Sequence, residues 1–125
     1  MRILGIDYGE KYIGLALSDE TQTIAYPFDT IFNGENVCDE IIEICKNENV
    51  GKIIVGVPIG FSGATKQTEI NRKFISDLAN LTPIPVLEEN EILSTKMAEK
   101  RMKKGADPHQ QSAVVILEGY LEKIK

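Results

Sequence analysis

Short runs of apolar, β-branched and aromatic residues alternate along the chain with longer segments in which apolar positions recur at i, i+3, i+4 and i+7. The runs at 2 to 7 (RILGID) and 12 to 17 (YIGLAL) predict strands, and the four residues between them are few enough for a hairpin. A third strand is predicted over 22 to 32, where Pro27 lacks a ladder donor and so belongs at a sheet edge. Residues 35 to 47 carry Cys38, Ile41, Ile42 and Cys45 on one helical stripe, and a strand follows at 52 to 57. Thr65 is a predicted cap for a helix whose face holds Ile70, Phe74, Ile75 and Leu78, and residues 83 to 88 (PIPVLE) form the fifth predicted strand. The order strand, helix, strand, helix is that of parallel crossovers, so the sheet begins antiparallel and ends parallel.

Two further helices complete the pattern. Ser94 is a predicted cap for a helix to about residue 104, which Gly105 ends. The last helix has Asp107 as N-cap, Pro108 at its first position, Gln110 completing a capping box, and an apolar stripe of Ala113, Ile116, Leu117, Tyr120, Leu121 and Ile124. No repeat, linker or low-complexity segment divides the 125 residues, so one domain over 1 to 125 is expected.

Composition narrows the class. With 42% apolar and 26% charged residues the chain falls among folded globular proteins rather than disordered ones. No apolar run approaches the roughly 18 to 20 residues of a membrane span, and Gly5 and Asp7 interrupt the start where a signal peptide needs its apolar stretch. A cytoplasmic protein without membrane contact is therefore expected. Cys38 and Cys45 stand two helical turns apart, roughly 10 Å, too far to bridge, and are read as packing residues. The net charge of −5 argues against coating nucleic acid by bulk charge, yet the charge is uneven. Residues 1 to 95 hold seven basic and fifteen acidic residues, whereas residues 96 to 125 hold seven basic and four acidic ones, five of the basic ones between Lys96 and Lys104. Such a run suits either a solvated helix face or a phosphate-contacting patch.

Candidate chemistry lies at the ends of these elements. Asp7 closes an apolar strand, where a carboxylate either bonds turn amides or ligates a metal. Glu88, Glu89 and Glu91 follow the fifth strand; two of them are expected to be solvated and one to face Asp7. Asp107 is either a plain helix cap or an acidic site group. His109, the chain's one histidine, sits in a first helical turn that favours neutral imidazole, fit to ligate a metal or move a proton. The segment Gly56 to Gly63 allows amides to approach a phosphate, but it lacks the GK[ST] ending of a Walker loop, and Lys66 beside it is either an exposed lysine or an anion contact.

Four stretches in series, GIDYGEKYIGLALSD, IIVGVPIGFSG, LEENEILST and SAVVILEGYL, resemble the YqgF (RuvX) family of Holliday junction resolvases and pre-ribosomal-RNA nucleases over nearly the whole chain. The resemblance implies an α/β RNase H-like fold, with a mixed five-stranded sheet of three antiparallel then two parallel strands and helices on both faces. It implies a Mg²⁺- or Mn²⁺-dependent nuclease acting on an RNA precursor or branched DNA. Asp7 matches the family's first-strand aspartate and Glu91 the glutamate of its DER-L-[ST]-T motif. His109 falls where the third carboxylate is placed, with Asp107 two residues earlier, so Asp7, Glu91 and His109 are the implied metal ligands and Asp107 a further catalytic candidate. Tyr12 replaces the family's usual arginine, Asn90 the motif's aspartate and Ile92 its arginine. Lys11, Lys96 and Lys100 are candidate phosphate contacts. Junction cleavage needs two symmetric sites, so that substrate carries the expectation of a homodimer. Two other readings are a nucleic-acid- or ribosome-binding protein eroded at the site, and an actin-like ATPase lobe suggested by GIDYG, for which one domain is too short.

Overall fold

A computed structural model describes residues 1–91 and 107–125. The helix expected from Ser94 to about residue 104, its stop at Gly105, and the candidates Lys96 and Lys100 lie outside the described residues. The elements are β1 (Arg2–Asp7), β2 (Tyr12–Ser18), β3 (Ala25–Phe32), α1 (Val37–Asn47), β4 (Val50–Val57), β5 (Ile59–Gly60), β6 (Gly63–Ala64), α2 (Lys66–Ala79), β7 (Val86–Asn90) and α3 (Pro108–Lys123). Five strands form one sheet in the order β3-β2-β1-β4-β7, antiparallel across β3-β2-β1 and parallel across β1-β4-β7. The mixed sheet read from the sequence is therefore present. Among the described residues no helix is long and apolar enough to cross a membrane.

Both sheet faces are covered, which is why β1, β2 and β4 read as almost unbroken apolar runs. On one face Leu4, Ile6, Ile13, Leu15, Leu17, Ile53 and Val55 pack with α1 and α2 through Val37, Ile41, Cys45, Phe74 and Leu78. On the other, Ile3, Ala16 and Ile54 meet Ala113, Ile116, Leu117 and Leu121 of α3. That second face is floored by small residues. A Cβ on Gly5 would come within 2.8 Å of Leu117 Cβ, and one on Gly14 would overlap the backbone carbonyl of His109. Glycine at these places lets the helix backbone lie directly on the sheet.

Element boundaries shift where local chemistry competes with the apolar pattern. β3 begins at Ala25 rather than residue 22, because the Asp19 carboxylate gathers Thr23 N at 2.8 Å, Ile24 N at 3.1 Å and the Thr21 hydroxyl at 2.6 Å into a closed turn. Pro27 does lie on an edge strand, at a bulge where Ala16 opposes Pro27 while Leu15 opposes Asp29. β7 starts at Val86 instead of 83, since Pro83 and Pro85 have no N–H to give the ladder. In α2 the Thr65 capping box is present, with Thr68 as its partner, but Ile70 is 41% exposed. Asn71 takes the buried place, donating from Nδ2 to Gly56 O at 2.9 Å. Asp107 caps α3, but the Gln110 side chain bonds Thr30 Oγ1 at 3.2 Å instead of closing a box. Cys38 and Cys45 are free thiols, as their spacing requires.

Replacing Gly14 by alanine inserts a methyl group against helix backbone, which has no rotamer with which to yield. The expected cost is about 2 kcal/mol, read as a lower urea midpoint with an unchanged slope.

Candidate active site

β1 carries Asp7 to the carboxyl end of the central strands, where it pairs in register with Gly14 of β2. Side chains alternate along a strand, so Ile3, Gly5 and Asp7 share the face that α3 covers. Glu91 follows β7, and its backbone N–H continues the parallel ladder by donating to Val57 O at 3.0 Å. That extra rung turns the Glu91 side chain toward β4, where its Oε2 lies 2.6 Å from the point a Cβ on Gly56 would occupy. Any larger residue at 56 would displace the carboxylate. The two acids meet there, Glu91 hydrogen-bonded to Asp7.

Their ionisation follows from this meeting. Burial pushes Asp7 up to about 6, although the Glu91 hydrogen bond and the charge of His109 both pull it down. Burial, together with repulsion by Asp7 and the hydrogen bond between them, pushes Glu91 up to about 8. The two groups titrate as a pair, and their mutual repulsion resists the ionisation of both together. Oxygen donors that resist full ionisation when alone are a fitting seat for a divalent cation, whose charge removes the repulsion. Mg²⁺ commonly takes only one or two carboxylates and fills its remaining positions with water and phosphate oxygens.

The other candidates separate into distinct roles. Asp107 spends its carboxylate on structure, accepting from His109 N at 2.8 Å, Gln110 N at 3.4 Å and Thr30 Oγ1 at 2.8 Å. Burial raises its pKa, but these hydrogen bonds and the charge of His109 outweigh that and hold it below the usual carboxylate range. His109 is seated over Gly14, near enough for its charge to act on Asp7, with its ring centroid 5.7 Å from that of Tyr12. Among the described residues no three His, Cys, Asp or Glu side chains gather closely enough to hold a metal, so the structure brings together Asp7 and Glu91 with His109 as a neighbour.

The acidic run divides three ways, and Glu88 and Glu89 lie within β7 rather than after it, where the sequence alone places them. Glu88 pairs with Arg72 of α2 at 2.9 Å, Glu89 with Lys123 of α3 at 2.8 Å, and Glu91 with Asp7. Glu89 is buried, contrary to the solvated place expected for it, because alternation points it under α3. Lys11 is exposed, its ammonium 5.5 Å from the centroid of the Tyr12 ring. The segment Gly56 to Gly63 closes as a small hairpin of β5 and β6 in place of a phosphate cradle, and Lys66 is exposed at the first turn of α2. Thr30 escaped the sequence reading, and Gly56, read there as part of a phosphate-approach segment, instead makes room for the Glu91 carboxylate. Thr30 is 77 positions from the carboxylate it holds, and no local pattern announces such a pairing.

Because Asp7 and Glu91 bind a proton more tightly folded than unfolded, their contribution to stability is present below about pH 4 and is lost as pH rises toward about 8. Metal-free protein should therefore show a thermal midpoint that falls over this interval, and Glu91→Gln should flatten that fall. An equal slope in the variant would show that the pair is not its origin. Asp107→Ala should cost about 1 kcal/mol in urea denaturation, and Asp107→Asn much less, since asparagine also caps helices.

Comparison with known proteins identifies the family and the fold. The family model described as "RuvX: Holliday junction resolvase" matches residues 1–123. A Rickettsia peacockii protein named "Putative pre-16S rRNA nuclease" is 36% identical over 134 aligned positions, covering 98% of this chain and 87% of its own. A protein of the same name from Orientia tsutsugamushi is 35% identical, with 99% and 85% covered. Among solved structures, T. thermophilus RuvC in complex with a Holliday junction substrate superposes with a TM-score of 0.67 at 13% identity, covering 99% of this chain and 96% of that one. The fowlpox virus Holliday junction resolvase gives 0.59 at 15% identity, with 98% and 99% covered. These similarities establish the RNase H-like fold. The sequence match over almost the full length settles the family: this chain belongs to the RuvX (YqgF) nucleases.

Proposed function

We propose that the protein is a divalent-metal-dependent endonuclease that hydrolyses phosphodiester bonds in a ribosomal RNA precursor, with Asp7 and Glu91 as its metal ligands. The observation that carries this reading is the convergence of two half-buried, hydrogen-bonded carboxyl groups at the carboxyl end of the central strands. Mg²⁺ or Mn²⁺ seated there supplies Lewis-acid chemistry, lowering the pKa of water and neutralising charge that develops on the phosphate. Gly56 keeps room for the Glu91 carboxylate, and the Val57 carbonyl fixes its backbone. His109 is the group placed to complete the site or to move a proton to the departing oxygen, because Asp107 is already committed to the helix cap and Thr30. Lys11 is the cation available to a phosphate on the β2 side. An RNA strand is favoured over a four-way junction because the sequence relatives at 36% identity carry the RNA name.

The test is cleavage of labelled precursor RNA, single-stranded RNA and a four-way DNA junction with Mg²⁺ or Mn²⁺. Asp7→Asn and Glu91→Gln should each lose more than the roughly 10- to 100-fold that changes to outer-shell groups cost. His109→Ala should lose about 10²- to 10⁴-fold, and Asp107→Asn should keep most activity. Salt-sensitive binding without turnover by the wild type would replace this reading with that of a binding protein eroded at the site. The absence of a third ligating side chain among the described residues is the feature that favours that second reading.

A further inference from the structure

The start of β2 and the end of β3 carry two aromatic rings that the core does not use. Tyr12 and Phe32 are cross-strand partners at the last rung of the β2-β3 ladder, 40% and 61% exposed. Their rings meet edge to face with centroids 6.3 Å apart. Tyr12 lies two residues before Gly14, which is opposite Asp7, so its side chain projects from the same face as Asp7 about 7 Å further along the strand. His109 stands between them, its ring 5.7 Å from Tyr12 and its charge acting on Asp7. The Lys11 ammonium completes the row, 5.5 Å from the Tyr12 centroid. The backbone beneath is held in place, since Asn33 N donates to Lys11 O at 2.8 Å and Asn33 Nδ2 to Gly9 O at 2.9 Å.

We propose that Tyr12 and Phe32 form a stacking platform for an unpaired nucleobase, with Lys11 on the adjoining phosphate, so that the enzyme engages single-stranded nucleic acid next to the bond it cuts. This deepens the nuclease reading and rests on it. Three features support that occupant. The surface is aromatic and exposed yet rigidly anchored, as a stacking face must be. It is continuous with the acidic pair through His109. It also provides attraction independent of charge, in a protein whose net charge of −5 and paired acids oppose a polyanion. A duplex keeps its bases inside its own stack and offers no free face to Tyr12, so the platform selects unpaired strand.

The experiment uses short RNA and DNA oligonucleotides carrying 2-aminopurine, single-stranded or annealed, in EDTA so that no cleavage takes place. Wild type should quench the fluorophore in both single strands alike, because a ring face does not read the sugar, and should bind the duplex more weakly. Tyr12→Ala and Phe32→Ala should each weaken single-strand binding about tenfold and lose the quench, while Tyr12→Trp should keep both. With Mg²⁺, Tyr12→Ala should raise KM for an unpaired substrate with little change in kcat. No quench by wild type, or a quench unchanged in both alanine variants, overturns the platform. Since quenching is read without metal, a failed cleavage assay would leave this result intact, and a failed quench would leave the nuclease reading standing.

Discussion

The site depends on one steric constraint, the direct seating of α3 on the sheet. Gly14 accepts the His109 carbonyl where any side chain would collide, and Gly5 accepts Leu117. Ala113, Ile116, Leu117 and Leu121 then bury themselves against Ile3, Ala16 and Ile54, so the same contact that closes the second core sets the height and register of the helix start. Moving α3 outward by the width of a methyl group would carry His109 away from Asp7. Stability and site geometry are thus coupled through the same few small residues.

Two clamps hold that helix at its ends. At the start, Asp107 bonds both the first-turn amides and Thr30 of β3, tying the cap to the edge strand. Near the other end, Lys123 pairs with Glu89 of β7, at the end of the sheet away from β3. The helix therefore spans from β3 to β7 and bridges the antiparallel and parallel halves. This also sorts the acidic residues by task. Glu89 and Asp107 serve structure, while Asp7 and Glu91 are left facing each other, with burial and repulsion resisting their full ionisation. Perturbed carboxyl groups at the carboxyl ends of parallel strands are what marks this place as a candidate functional site.

The elements were largely legible because each rests on short-range chemistry. Apolar alternation marks β1 and β2, Thr65 and Asp107 mark helix starts, and Pro27 marks an edge. The misreadings came where a nonlocal or side-chain interaction competes with that pattern. Asp19 folds residues 19 to 24 into a turn, the prolines at 83 and 85 delay β7, and Asn71 displaces Ile70 from the buried face to reach the Gly56 carbonyl.

By itself the sequence determined the order of the five sheet strands and of α1, α2 and α3, because periodicity, capping residues and turn chemistry act over a few positions, while Asp7, Glu91 and His109 became a candidate set through the family resemblance. Only the tertiary structure decided which acids meet. Glu88, Glu89 and Glu91 are chemically alike and adjacent, and the face each takes depends on where the parallel ladder with β4 ends. Likewise, the choice of Asp107 as clamp and His109 as neighbour of the pair depends on Thr30 and Gly14, which are distant in the chain. Such contacts arise from packing between whole elements, and no local pattern encodes them.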